Sequence, residues 1–221
     1  MSGSKRNVSA TGSSVQGADR RPRQRKRDVL LPDLRDCAGL LDACVGRKGP
    51  DELGGRLVVS LWASLEAMHR SMGGDIETSR FHPELLEETT ERRLEVLPII
   101  LLLGEETTTP VGVLRVARGT LHDMSVEDYA DQVRAGVEDD RAHGHGPRWL
   151  VLARGAERCF VTISRWPDWS SIALATGASI HDPPRTKRLT EIRAFEADHY
   201  ELLPVGGRED APARPDRGAL L

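Results

Sequence analysis

Residues 56–73, RLVVSLWASLEAMHRSMG, and residues 160–177, FVTISRWPDWSSIALATG, align without a gap at a constant offset of 104. Ser60 falls on Ser164, Trp62 on Trp166 and Gly73 on Gly177. Each stretch opens with an apolar, β-branched run, reaches its Trp, and continues into a short amphipathic segment. Leu65, Met68 and Met72 carry the apolar face of the first, and Trp169, Ile172 and Thr176 that of the second, with a closing Gly suited to a helix C-cap. Strand, turn and helix are therefore predicted twice. Further on, LEVLP at 94–98 lies over YELLP at 200–204 at an offset of 106, predicting another strand in each copy. The pattern reads as a tandem duplication.

The second copy extends upstream. VGVLRVA at 111–117 is an apolar strand, and Ser125 opens a capping pattern with Asp128. Val126, Tyr129, Ala130, Val133 and Val137 then recur at helical spacing. WLVLA at 149–153 and CFVTIS at 159–164 are two strands joined by a glycine-containing turn. The order β-α-β-β-α-β is that of the ferredoxin-like split βαβ unit, an antiparallel sheet with its helices on one face, and the fold class is α+β. In the first copy LLDACV at 40–45 and LVVSL at 57–61 supply two strands, but its first strand would lie upstream of Leu30, in a basic stretch. The expected organisation is a disordered basic tail over 1–29 and a first unit over 30–104 lacking a clear first strand. A second unit over 110–205 and a loose Pro/Gly-rich tail over 206–221 complete it.

The chain has 221 residues, 38% hydrophobic and 29% charged, enough to bury a core. Its net charge of −3 conceals an asymmetry, because residues 1–27 hold eight Lys/Arg against Asp19 and leave about −10 for the rest. An acidic body argues against nucleic-acid binding by the folded core, which would need clustered cations. The longest apolar run, 97–103, is too short to cross a bilayer. Three cysteines without a CxxC pair, and no apolar segment after the first Met, read as a reduced, cytoplasmic protein.

On VVSLWASLEAM at 58–68 with Gly73, FVTISRWPDWSSI at 160–172 with Gly177, and the acidic strands that follow, the chain resembles the antibiotic biosynthesis monooxygenase family of the dimeric α/β-barrel superfamily. The resemblance implies two ferredoxin-like sheets packed into a barrel, here within one chain, so that the protein is a monomer or a homodimer. It also implies a small apolar or aromatic ligand between sheet and helices. Such monooxygenases use dioxygen with no metal or flavin, since a deprotonated, electron-rich substrate supplies the electrons. A non-catalytic binding barrel and a haem-binding protein are the alternatives.

The resemblance makes Trp62 and Trp166 pocket walls and N–H donors, although a Trp that packs a helix onto a sheet explains both equally. His69 is a base or haem-ligand candidate, yet its counterpart is Ala173, so the fold itself does not require it. Arg165 would steady an anionic substrate, with Met68, Trp169 and Ile172 lining the pocket. His143-Gly-His145 reads as a solvated loop, because a metal needs three or four converging ligands. Glu95 and Glu201, equivalent at the offset of 106, are expected opposite the apolar face of their strands.

Overall fold

The computed structural model describes residues 7–14, 37–49, 55–72, 91–104, 112–177, 179–184 and 191–203. Among them the chain runs β1 (Asn7–Ser14), β2 (Leu40–Lys48), β3 (Gly55–Trp62), α1 (Leu65–Met72) and β4 (Glu91–Leu103). It continues through β5 (Val113–Leu121), α2 (Val126–Ala142), β6 (Trp149–Arg154), β7 (Cys159–Trp166), α3 (Trp169–Thr176) and β8 (Ile192–Leu202). The strands form one closed antiparallel barrel in the order β1-β3-β2-β8-β5-β7-β6-β4. Each half contributes a four-stranded block whose spatial order is last, first, third, second strand, as in a ferredoxin-like sheet.

The two blocks meet along seams shorter than the pairings inside them. β2 joins β8 over Gly46–Lys48, and β4 joins β6 from Ile99 to Leu103 across a bulge, whereas β5 pairs β7 over eight residues. Gly46 lies on the first seam, where an added Cβ would come within 2.5 Å of the Tyr200 Cβ. Closure leaves none of the described strands with an unpaired edge.

Closure buries the inner face of the sheet, and helices bury much of the outer face of the second half. Val8, Leu57, Val59, Leu61, Leu114, Val116, Val151 and Ile163 fill the lumen. On the outside of the second half, Leu121, Leu150, Leu152 and Phe160 pack under α2, while Val113 and Trp166 pack under α3. Strands buried on two sides lose the polar alternation of a solvated sheet, which is why β6 reads WLVLAR with five consecutive buried residues.

Several expectations are corrected here. The basic N-terminal stretch is not wholly a tail, for β1 pairs with β3 from Asn7↔Trp62 and with β4 from Asn7↔Pro98. It supplies the first strand that the first half seemed to lack. Composition hid it, since NVSATGSS has one sizeable aliphatic, but Val8 faces the lumen and is 1% exposed. Residues 1–6, 15–36 and 204–221, on which the rest of the two tail expectations falls, lie outside the described residues.

The offset of 106 does not describe the last strands. Ala10 pairs with Glu95 and the corresponding Val116 pairs with Asp198, so Glu95 is matched by Asp198 and not by Glu201. Glu95 also shares the lumen-facing side of β4 with Leu97 and Ile99, because in a closed barrel the face away from the helices is interior too. At that mouth of the lumen Arg118 stands between Glu95 (3.5 Å) and Asp198 (3.7 Å). Glu201 pairs with Arg47 on the outside.

Candidate functional site

Alternation along β5 and β7 sends Arg115, Phe160, Thr162, Ser164 and Trp166 to the outer face of the second half, where α2 crosses above them. α2 forms where the sequence predicts it. The Ser125 Oγ accepts the Asp128 N–H at 3.0 Å, Glu127 and Asp128 suit the positive first turn, and Val126, Ala130 and Val137 are buried against the sheet. The helix does not seat fully. A cavity of about 530 Å³ lies between sheet and helix, within the range of small-molecule sites. Its walls include Phe160, Leu150, Ile192 and Phe195, with Tyr129, Gln132, Gly136, Val137 and Asp140 from α2.

Arg115 is the polar centre of this space. The residue is 3% exposed, its Nη2 donates to the Asp182 carbonyl at 2.6 Å, and its guanidinium lies 5.4 Å from the Phe195 ring centre. Its Nε–H has no partner among the described residues. Burial pulls the guanidinium down to about 10, opposed by Tyr129 and Asp182, so it stays a cation at neutral pH. Burial pushes the Tyr129 phenol up to about 12, against the pull of Arg115, so it stays protonated. Gln132 donates to the Met124 sulfur, and its buried Oε1 has no partner among the described residues. An unpaired donor and an unpaired acceptor in one cavity are a place for a polar ligand atom.

At the far end of α2, Asp140 lines the cavity and its Oδ1 lies 3.4 Å from the His145 Nε2. Burial raises the Asp140 carboxyl, with His145 opposing and Asp139 adding to the rise. The His143-Gly-His145 segment is therefore more than a solvated loop, since one of its imidazoles backs a carboxylate that faces the cavity.

The residues singled out in the sequence are dispersed. Trp62 and Trp166 occupy equivalent ends of β3 and β7, on opposite sides of the barrel, and are 0% and 3% exposed. Each indole N–H donates to the serine two residues earlier, Trp62 to the Ser60 Oγ and Trp166 to the Ser164 Oγ, both at 2.9 Å. Trp166 walls the cavity, but its N–H is engaged by its own strand.

Arg165, expected beside a substrate, points the other way. It enters the lumen, pairs with Asp42 and sits 4.7 Å over the Trp149 ring, because neighbours on a strand face opposite sides. Met68 and Ile172, matched at the offset of 104, are both 0% exposed and belong to the packing of α1 and α3. Trp169 is half-buried with its ring 5.6 Å from that of His199. His69 is half-buried on α1 and does not line this cavity.

What sequence reasoning missed is Arg115, Gln132 and Asp140. The one available signal was Arg115 itself, a lone charge inside the apolar run VGVLRVA. Gln132 and Asp140 sit among the many polar residues of an amphipathic helix and carry no local mark.

No family model matches the chain, and no curated protein matches it. Solved structures do. A protein from Fusobacterium nucleatum named as a candidate monooxygenase has a TM-score of 0.68 at 11% identity, over 93% of this chain and 95% of that one. A second candidate monooxygenase, from Lactobacillus acidophilus, gives 0.66 at 12% identity over 89% and 93%. A ferredoxin-fold protein from Listeria monocytogenes, named as related to antibiotic biosynthesis monooxygenases, gives 0.51 at 11% over 91% and 96%. By its strand order and by these likenesses, the chain shares the α/β-barrel fold of these monooxygenase-like proteins.

Proposed function

We propose that the cavity under α2 binds a small, apolar or aromatic, weakly acidic molecule and that the protein oxidises it with dioxygen without a metal or flavin. The observation that carries this is a buried cation, Arg115, in a cavity of about 530 Å³ whose sheet side holds Leu150, Phe160, Ile192 and Phe195. A buried guanidinium favours the deprotonated form of a phenol, enol or anthrone bound beside it. That form is the one able to give electrons to dioxygen. For an anthrone the stoichiometry is one methylene and one O₂ to one ketone and one water.

The fully paired indole N–H groups of Trp62 and Trp166 favour a second reading, a barrel that binds such a molecule and performs no reaction on it. The matched strand orders support reading residues 30–104, now with β1, and 110–205 as copies of one unit. Oxygen uptake with anthrone and with a quinol, chelator present, decides between the two functions. Uptake that follows added protein supports the oxygenase, and tight binding without uptake supports the binding module.

A further inference from the structure

We propose that Asp140 is the proton acceptor of this cavity and that His145 positions it. The step rests on the oxygenase reading only where dioxygen enters; the proton transfer itself does not require it.

The cavity offers few groups able to take a proton. Tyr129 is held protonated and Arg115 is held as a cation. Asp131 and Asp139 keep 81% and 77% of their side chains in solvent, where water competes for them. Asp140 keeps only 19%, and it stands near the C-terminal end of α2, where the carbonyl ends of the helix disfavour an anion. Helix end and burial both make this carboxylate a stronger base than a solvated one. His145 is fixed behind it, its Nδ1 3.2 Å from the His143 carbonyl and its backbone N–H bonded to the Asp140 carbonyl at 3.1 Å. With Nδ1 donating to that carbonyl, Nε2 faces Asp140, where the imidazolium donates to the carboxylate and the neutral ring accepts from the carboxylic acid formed once Asp140 has taken a proton.

An Asp140 oxygen takes the proton of an acidic C–H, and the bond's electron pair stays on the ring as an anion held near Arg115. That anion reduces dioxygen and forms a C–O bond, giving a peroxide. Asp140 returns its proton to the outer oxygen. Loss of the second C–H proton with hydroxide, which combine as water, leaves the ketone and the original carboxylate.

Anaerobic exchange of the anthrone methylene protons in D₂O, followed by proton NMR on the full chain, isolates the first step. Wild type should exchange them faster than buffer alone, and Asp140→Asn should lose about 10²-fold or more of that excess. His145→Asn should keep part of the rate while its acid limb moves to higher pH. The groups setting that limb are Asp140, Asp139, His143 and His145, with Arg115 and Tyr129 on the cavity wall. Should Asp140→Asn fail to fold, Asp140→Glu retains a displaced carboxylate, and a substantial residual rate is expected from it. Wild-type exchange no faster than buffer, or an unchanged rate in Asp140→Asn, overturns the assignment. Oxygen uptake under air is scored separately: exchange without uptake removes the oxygenase and keeps Asp140, whereas uptake unaltered by Asp140→Asn does the reverse.

Discussion

Arg115 and Trp166 line one cavity with opposite hydrogen-bond states, and substitution should separate them. Arg115→Met keeps the length of the side chain and removes the charge. Turnover of a bound anthrone or quinol should fall about 10²-fold, as when an oxyanion donor is lost. Trp166→Phe removes an N–H already given to Ser164. Its turnover should stay within a few-fold of wild type, while denaturant unfolding shows a loss of about 1 kcal/mol. His199 gives the molecule an acid limit. It is 1% exposed between Trp169 and His181, and burial, Arg115 and His181 hold its imidazole down to about 4. Folding thus favours the neutral ring. Its contribution is complete above the ordinary value near 6.5 and is lost as pH falls from there to about 4, up to about 3 kcal/mol. Urea midpoints measured across that interval should drop more steeply for wild type than for His199→Gln.

β1 is the element on which closure of the first half depends, since it lies between β3 and β4. Val8→Asp would place an unpaired carboxylate in the lumen and should cost about 3 kcal/mol or more, seen as a lowered thermal midpoint with exposed hydrophobic surface by dye binding. The same strand shows what the sequence could convey. β3, β7, α1 and α3 were legible because each half repeats Ser-x-Trp and a capped helix, and β6 and β5 because strands buried on both faces hold near-continuous apolar runs, WLVLA in one and VLRVA in the other. β1 was not, because backbone pairing on two sides accepts Ser, Thr and Gly, and its one sizeable aliphatic is Val8. The cavity was half legible for a related reason. Trp166 is marked by the repeat, but Gln132 and Asp140 acquire meaning only when α2 is laid across the sheet.

At the scale of the whole molecule the halves are held by more than their two seams. Arg165 from β7 reaches across the lumen to Asp42 on β2, and both are largely withdrawn from water, at 8% and 17% side-chain exposure. Arg165→Met leaves Asp42 without its partner and should cost about 3 kcal/mol in chemical unfolding. Arg165→Met with Asp42→Leu should recover much of that loss, and two equal, additive losses would mean that the pair does not couple the halves. A barrel built from two blocks and closed along two short seams also has a practical use. Cut between Gly104 and Gly112 and expressed as two fragments, the chain becomes a complementation pair. Neither fragment alone can shield its lumen face, so each has reason to seek the other, and a reporter fused to the new ends would light up only on reassembly.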